Sequence, residues 1–461
     1  TITYSFINYL PYWDEGVYIS NGKYLFSGTE KLTYEYQRPP LMGVISGFFW
    51  FLGVNEILFS KIILTIIFLL GLFYLYKISE DIKEDSGIIT TLLFATLPTI
   101  SFFTNRLLTS IPGACISIIG YYFFTKKKYF LSGFILSLAF LFRYPTGLVF
   151  LILGIFLLIE VLKEKNLKKL KNIFYYGAGF SLLVIPFMVL NYLFINVNYP
   201  FFKKLLLPFI NASKMVAANA FDLTTNGFIY YLKYLFFENY LLVFFIIFII
   251  LILTFKQKRK EITKNKLLIP FIISVGFLVY LSSLVHYEPR YFVIALPFFS
   301  IIAGYSIYSL LEIIKFKKII WIIEILLLIF LVIIFLNHIN NQIYENKVID
   351  LQEIKEYYTY VSIIDPEYKG IIAIDNPVYG IYNENNKIVH LADPFYAYHI
   401  IKENEKIKYL LFEERNFNCW REEDIDCQER LNLFNKLLEE EYELIYESYF
   451  LKTNNYIYRL K

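Results

Sequence analysis

Two adjacent carboxylates, Asp14 and Glu15, stand near the start of a chain whose long segments are apolar. A carboxylate held beside a bilayer can accept a proton from a hydroxyl or amine as that group attacks, and it can equally bind a cation. Ionisable groups near hydrocarbon are expensive to keep, so the pair predicts a functional site. The alternative interpretation is that both residues cap a juxtamembrane helix, because carboxylates are stabilised at the positive end of the helix dipole.

Basic residues that suit phosphate are spread along the same chain. Guanidinium groups bind phosphate with paired hydrogen bonds, so a base together with arginines predicts group transfer from a phosphorylated donor. The candidates for this contact are Arg38, Arg106, Arg143 and Arg290. His286 and Glu288 stand beside Arg290 and are further candidates to contact a sugar or phosphate, with a polar helix end as the alternative.

The composition places these residues in a polytopic membrane protein. Of 461 residues, 57% are hydrophobic and 18% are charged, which is too apolar for an ordinary soluble enzyme. A net charge of +4 is too small to indicate a nucleic-acid partner. We therefore expect membrane lipids to surround the chain, and expect its 47 Phe and 41 Tyr to fill the core, the lipid-facing surface and the interfacial belts.

Ten apolar runs have roughly the 17 to 25 residues of a membrane-spanning helix or come close to it. They are 56–76, 88–104, 111–125, 129–142, 146–162, 173–195, 235–255, 267–285, 291–311 and 319–337. The apolar residues up to Leu10 are too few to span, so we expect about eleven helices with the first truncated. The fourth and fifth runs, separated by Arg143-Tyr144-Pro145, are alternatively a re-entrant pair because proline interrupts a helix.

Alternate connecting loops are basic, and short basic loops face the cytoplasm. These loops contain Lys77 and Lys83, 126–128, 163–171, 256–260 and 315–318. The other set includes the carboxylates, the four arginines and the long loop 196–234, and we expect it to face outward. Lys203 and Lys204 are exceptions, but long loops follow the rule poorly. The sequence thus predicts a multi-pass plasma-membrane protein with an external site.

The composition changes after Asn337 from apolar runs to mixed, charged sequence. We predict a transmembrane domain over 1–340, whose external loop 11–55 carries the acidic pair, and a small extracytoplasmic α/β domain over 341–461. Periodicity predicts helices near 347–363, 395–404 and 428–440, and strands at 370–374, 387–391 and 409–412. The stretch 442–460 predicts a hairpin with Asn454-Asn455 between its strands.

Other residues of the predicted external domain have weaker signals. Cys419 and Cys427 bracket an acidic loop and are candidates for a disulfide, with free thiols as the alternative. His390, Asp393 and His399 lack the spacing of a metal site. A divalent metal stays open as a cofactor but is not assigned to any residues, and no other cofactor is predicted.

The order of these features resembles the GT-C membrane glycosyltransferases, in the branch of protein O-mannosyltransferases, aminoarabinose transferases and Rgt-like enzymes. The run Asp14-Glu15-Gly16-Val17-Tyr18 is similar to the Asp-Glu-x-x-Tyr of that branch's first external loop. The segment Gln37-Arg38-Pro39-Pro40-Leu41 is similar to its basic-Pro-Pro-Leu segment; where aminoarabinose transferases have Glu-Lys-Pro, this chain keeps the basic residue and lacks the acid. Glu288-Pro289-Arg290-Tyr291, followed by Leu296-Pro297 and Ala303-Gly304, is similar to the family's Arg-Tyr entry into a late helix.

The resemblance implies transfer of one sugar, with inversion, from a polyprenyl- or dolichyl-phosphate carrier to a glycan, lipid or protein acceptor at the outer face. It implies that Asp14 is the general base, that Glu15 holds the loop or a neighbouring base in place, and that Tyr18 contacts substrate. Arg38 is the first candidate for the lipid phosphate, ahead of Arg290, and Arg143 and Arg106 follow. One departure is the second external loop, where the family often carries an acid and the run 105–112 has none.

Two other functions remain open from the sequence. A transporter or flippase for a charged lipid or solute would line its pathway with Asp14, Arg143 and Arg290. The clustering of ionisable residues at one face and the absence of an internal repeat favour the enzyme. A catalytically inactive envelope-assembly homologue is the third interpretation, which the missing second-loop acid leaves open.

Overall fold

The computed structural model describes residues 13–27, 35–104, 106–194, 199–218, 227–254, 267–284, 287–313, 351–382, 386–391, 394–404, 407–417, 425–450 and 453–461, with isolated positions between 322 and 336. Residue contacts divide the chain into two compact units. The first unit comprises Thr1–Glu35, Met42–Ser60 and Asn340–Lys461, and the second comprises Tyr36–Leu41 and Lys61–Ile339. Residues of the predicted external loop therefore group with the C-terminal residues.

The second unit is built from helices. Their bounds are α3 Glu56–Ile82, α4 Gly87–Thr96, α5 Pro98–Thr104, α6 Ser110–Thr125, α7 Tyr129–Phe142, α8 Gly147–Glu164, α9 Leu170–Phe194, α10 Phe201–Ala218, α11 Gly227–Lys233, α12 Leu241–Thr254, α13 Leu268–Ser282, α14 Pro289–Phe292 and α15 Leu296–Ile313. Short 3₁₀ turns, Tyr144–Thr146 and Leu167–Lys169, precede α8 and α9. These helices cover nine of the ten predicted runs, and most of the tenth, 319–337, lies outside the described residues.

Within the described residues, four segments are long and apolar enough to cross a membrane: Glu56–Ile82, Tyr144–Glu164, Leu167–Leu193 and Leu296–Ile313. Two further spans result if each bent helix pair is counted as one. Helices α6, α7 and α13 are apolar but shorter. The prediction of a polytopic helical membrane protein is confirmed.

Two runs that the sequence predicts as continuous are bent. Helices α4 and α5 meet at 65°, because Pro98 cannot donate a backbone hydrogen bond and Leu97 before it is extended, with ψ of 130°. The segments Gly227–Glu238 and Leu241–Thr254 meet at 102°, next to Tyr240, which has a left-handed φ of 55°. The runs 88–104 and 235–255 are therefore broken helices.

Lysines and acids meet at one end of the second unit, which we call the lysine end. Lys83 Nζ lies 3.0 Å from Glu312 Oε2, and Lys126 Nζ lies 2.6 Å from Asp81 Oδ2. These contacts join the C-terminal ends of α3, α6 and α15. Lys83 and Lys126 belong to two loops that the charge pattern predicts to be cytoplasmic. Both loops lie at this same end of the helices.

The C-terminal part of the first unit is a five-stranded sheet with helices on both faces. Its elements are α16 Leu351–Ile364, β1 Ile371–Ile374, α17 Tyr379–Tyr382, β2 Lys387–His390, α18 Pro394–Glu403, β3 Ile407–Glu413, α19 Ile425–Glu441, β4 Tyr442–Phe450 and β5 Thr453–Leu460. The strand order is β2-β1-β3-β5-β4; β1 pairs in parallel with β2 and β3, and β5 is antiparallel to β3 and β4. The predicted α/β architecture is confirmed.

Alternation along β1 explains the two apolar layers. Ile372 and Ile374 pack in the cluster that includes Tyr357 of α16, whereas Ala373 packs in the cluster that includes Phe434 of α19. Successive strand residues point to opposite faces, so a short apolar strand serves both layers.

The C-terminal hairpin forms, but its turn differs from the prediction. Asn454 pairs with Tyr449 and Asn455 pairs with Ser448, so both asparagines belong to β5. The strands are joined at residues 451–452, which lie outside the described residues.

The first unit also contains helix α1, Trp13–Ser27, which crosses the next helix, α2, Pro40–Phe51, at glycines. A methyl group at Gly47 would lie 2.3 Å from the carbonyl oxygen of Gly22, and one at Gly22 would lie 2.4 Å from that of Gly43. Ser46 Oγ also donates to the Tyr18 carbonyl at 3.4 Å. Small residues four positions apart permit such close helix packing, as in membrane helix pairs.

We predict that Gly47→Ala destabilises the protein, because the added methyl group meets backbone that cannot move without separating α1 from α2. Overpacking of this kind costs about 1–3 kcal/mol. The measurement is the thermal unfolding temperature of the purified protein in detergent. Gly177→Ala in α9 is the matched control, since no atom lies within 4 Å of its added methyl group. Equal melting temperatures for the two variants would contradict the prediction.

Candidate active site

The acidic pair lies in the first turn of helix α1, in the region 11–55 that we predict to be an external loop. Asp14 is 9% exposed and Glu15 is fully buried. Both stand where carboxylates meet the positive end of a helix dipole, as the capping interpretation requires. Helix capping does not require burial, so the burial of two consecutive acids is a further feature of this turn.

Tyr18 follows Asp14 by one helical turn and is buried on the same face. Asn21, further along this face, is hydrogen-bonded to Glu35, three residues before Arg38. Its Nδ2 donates to the Glu35 carbonyl at 3.2 Å, and the Glu35 N–H donates to its Oδ1 at 2.9 Å. These paired bonds attach Glu35 to the helix that carries the acids.

Arg143 and Arg290 converge on one aromatic ring in the second unit. The Arg143 guanidinium carbon lies 5.1 Å from the centroid of the Tyr291 ring, and that of Arg290 lies 5.5 Å from it. Arg143 NH1 also donates to Thr109 Oγ1 at 3.2 Å. The structure thus brings together two candidates that are far apart in the sequence.

The Arg38 segment reaches the same neighbourhood through backbone and side-chain contacts. Tyr144, the residue after Arg143, donates its hydroxyl to the Arg38 carbonyl at 3.2 Å. Asn211 of α10 donates to the Tyr36 hydroxyl at 2.7 Å. The loop Tyr36–Leu41 is therefore anchored at the junction of α7 and α8.

Arg106 follows α5 and lies over the Phe102 ring, at 5.7 Å from its centroid. It precedes Thr109, the acceptor for Arg143, by three residues, and α5 packs against α14, which carries Arg290. All four predicted arginines accordingly belong to one connected set of loops, which we call the arginine end.

The arginine end and the lysine end lie at opposite termini of the same helices. Helix α6 begins after Thr109 and ends before Lys126, and α7 begins after Lys128 and ends before Arg143. Helix α15 begins near Tyr291 and carries Glu312 in its last turn. A helix of 16 residues such as α6 is about 24 Å long, so the two sets of charges are well separated.

Glu288 pairs with Arg290 instead of standing apart from it. Arg290 NH2 donates to Glu288 Oε1 at 3.0 Å, and the Glu288 carbonyl accepts from Tyr231 at 3.4 Å. Part of the Arg290 charge is thereby neutralised within the protein. His286 lies outside the described residues.

The weaker candidates of the C-terminal domain stay predictions. Cys427 is disulfide-bonded, Cys115 is free and buried, and Cys419 lies outside the described residues. His399 is exposed on α18, while Asp393 and the His390 side chain are not among the described parts. Among the described residues, no group of three His, Cys, Asp or Glu side chains is placed to hold a metal ion.

One buried charged pair was not found from the sequence. Lys23 of α1 is 1% exposed, and its Nζ lies 3.3 Å from Glu56 Oε1 at the start of α3 and 5.9 Å from the Trp50 ring centroid. A lysine two turns after an acidic pair has no sequence signal that distinguishes it from a surface lysine. Its pairing with Glu56 adds an ionic contact to the glycine crossing of α1 and α2.

Comparison with known proteins gives both a family and a fold. Residues 10–369 match the model of the Alg9-like mannosyltransferase family. The fold is similar to that of ArnT from Cupriavidus metallidurans bound to undecaprenyl phosphate, with a TM-score of 0.67 and 11% identity over 99% of this chain and 96% of that chain. For ArnT from the same organism in the apo state, the TM-score is 0.56 and the identity 10%, over the same shares of the two chains. A search of curated proteins by sequence gives no match.

The resemblance to GT-C membrane glycosyltransferases that the sequence motifs predict is therefore confirmed. The family model covers most of the chain, and the structural likeness covers the C-terminal domain as well as the helices. The chain belongs to the Alg9-like mannosyltransferase family of membrane glycosyltransferases.

Proposed function

We propose that the protein transfers a single sugar, with inversion, from a polyprenyl- or dolichyl-phosphate carrier to a glycan, lipid or protein acceptor at the outer membrane face. Family membership supports sugar transfer. The observation that carries the lipid-phosphate donor is the arginine end, where Arg143 and Arg290 share Tyr291 and the Arg38 loop is anchored beside them. The ArnT structure with the higher TM-score contains undecaprenyl phosphate, which is a ligand of this class.

The arginines suit the charge that develops on the donor. As the bond between the sugar C1 and the phosphate oxygen breaks, the electron pair stays with the lipid phosphate. Guanidinium groups that are already in place stabilise this charge without reorganisation. Arg38 is the first candidate for this contact, and Arg290 and Arg143, which share the Tyr291 ring, follow it.

Asp14 is the proposed base. The acceptor hydroxyl attacks C1 from the face opposite the phosphate, and its proton passes to the Asp14 carboxylate as the new C1–O bond forms. A single displacement of this kind inverts the configuration at C1. Glu15, fully buried in the same helical turn, is proposed to hold the start of α1 in place.

The charge distribution supports the proposal that the reaction takes place at the outer membrane face. The lysine end contains residues of the basic loops that the positive-inside rule assigns to the cytoplasm. The arginine end is at the other terminus of α6, α7 and α15, so the donor phosphate would be bound on the outer side.

We predict that Asp14→Asn lowers the rate of transfer by about 10²- to 10⁴-fold, since general-base catalysis typically contributes that much. The measurement is single-turnover transfer from a radiolabelled prenyl-phosphate sugar by the reconstituted protein. Asp426→Asn is the matched control, because Asp426 also stands in the first turn of a helix, α19, but is exposed.

The same pair of variants separates catalysis from helix capping. If Asp14 only caps α1, the substitution lowers the melting temperature and leaves the rate of the folded protein unchanged, which would remove it from the base role. Movement of a charged lipid or solute without any sugar transfer would instead support the transporter interpretation.

We further predict that Arg38→Gln and Arg143→Gln each reduce the transfer rate by about 10²- to 10³-fold, the usual loss when one group that stabilises developing charge is removed. Arg459→Gln is the control, since that arginine pairs with Glu443 on the surface of the C-terminal sheet. The assay is again single-turnover transfer, with donor binding measured separately. Normal rates in both variants would argue against donor phosphate binding at the arginine end.

A further inference from the structure

In the parallel part of the C-terminal sheet, the strand order reverses at β1. Such a reversal usually creates a crevice in which a ligand binds. From β1 the chain passes to β2 on one side, and from β2 it crosses to β3 on the other side of β1. In open α/β sheets, ligands bind at the carboxyl ends of the strands at such a point. In this chain, β1 ends at Ile374 and β3 ends at Glu413, so the segment that follows β1 lies at that position.

A buried polar network fixes that segment. The Glu413 N–H donates to Asp375 Oδ2 at 2.7 Å, and Asn376 Nδ2 donates to Glu413 Oε1 at 2.6 Å. Asn376 Oδ1 accepts from the Val378 N–H at 3.0 Å, which closes the loop over Pro377.

Two further groups hold the Glu413 carboxylate, which is 0% exposed. Arg415 Nε donates to Oε2 at 2.6 Å, and the Tyr358 hydroxyl lies 3.5 Å from Oε1. Burial raises the pKa of Tyr358 well above its ordinary value, so its hydroxyl keeps the proton that it donates. The loop Asn376–Val378 is therefore bound to a rigid, fully hydrogen-bonded strand end.

Helix α1 packs directly on this loop. A methyl group at Gly16 would lie 2.7 Å from the Val378 nitrogen and 2.8 Å from the Pro377 carbonyl carbon. Ser20 Oγ, one turn later on the same face, donates to the Pro377 carbonyl at 3.4 Å. At about 100° per residue, Asp14 lies on the side of the helix almost opposite Gly16.

We propose that Asn376 is a positioning residue for Asp14: the loop Asn376–Val378 holds α1 at one rotation about its axis and so directs the Asp14 carboxylate toward the acceptor. The C-terminal domain then takes part in catalysis by orienting the base. At the strand-order reversal, where other open α/β sheets bind a ligand, this domain binds α1. This role rests on the proposed function of Asp14. Misplacement of a catalytic group by about 1 Å can cost a hundredfold in rate.

The test compares Asn376→Asp with Asn386→Asp. Asn386 is equally a buried asparagine of this domain, with Nδ2 donating to the Tyr368 carbonyl at 2.7 Å, but it precedes β2 and is not bonded to the loop under α1. We expect Asn376→Asp to lower the single-turnover rate ten- to a hundredfold with unchanged donor binding. Asn386→Asp should lower the melting temperature by a similar amount and leave the rate unchanged.

A double-substitution experiment separates positioning from a general loss of structure. In the Asp14→Asn background, Asn376→Asp should cause no further loss of rate, because the base that it orients is absent. Gly16→Ala, which acts on the same contact from the α1 side, should behave in the same way. A radiolabelled donor allows the low residual transfer rates of these variants to be measured.

Each outcome has a defined consequence. A normal rate for Asn376→Asp and Gly16→Ala, equal losses for Asn376→Asp and Asn386→Asp, or additive losses with Asp14→Asn would overturn the positioning role while Asp14 remains the base. A normal rate for Asp14→Asn alone would instead remove the proposed base, and the positioning role with it.

Discussion

The close approach of α1 and α2 at Gly22, Gly43 and Gly47 is the contact on which the candidate site depends. Burial of two adjacent acids is costly unless their carboxylates are hydrogen-bonded or paired, and such contacts require that the helix carrying them is held in one position. A larger side chain at the crossing would meet the backbone of the facing helix and move α1 away from α2. The ion pair of Lys23 with Glu56 closes the other end of the same helix. The proposed catalytic acids and the glycines of the crossing are thus parts of one short segment.

Charge in the helical unit is divided between two ends. The lysines at one end pair with Asp81 and Glu312 and belong to loops that the positive-inside rule predicts to be cytoplasmic. The arginines at the other end contact aromatic rings and neighbouring loops: Arg143 and Arg290 share the Tyr291 ring, and Arg106 lies over Phe102. This convergence of guanidinium groups is what supports the proposal that the arginine end binds an anionic lipid phosphate.

The sequence predicted the helices, the α/β domain and the arginine set because these depend on local composition and on the alternation of loops. It missed the bend at Pro98 because proline is also tolerated within helices of this chain, as Pro186 in α9 and Pro208 in α10 demonstrate. It placed Asn454 and Asn455 in a turn because asparagine favours turns, whereas strand pairing decided their position. The packing of α1 on the loop after β1 had no local signal at all, since steric fit between distant segments is not encoded in either one alone.

The first unit is assembled from the two extremes of the chain, and this has a consequence for its biosynthesis. Ser20 and Pro377 are separated by 357 positions, so α1 leaves the ribosome long before its partner exists. At about 5–20 residues per second, roughly 20 to 70 s pass between the two events. During this time α1 lacks its contact with the loop Asn376–Val378, which is proposed to orient Asp14. With Asp14 as the base, a nascent chain already inserted in the bilayer would start sugar transfer only after the C-terminal sheet has been translated and has folded.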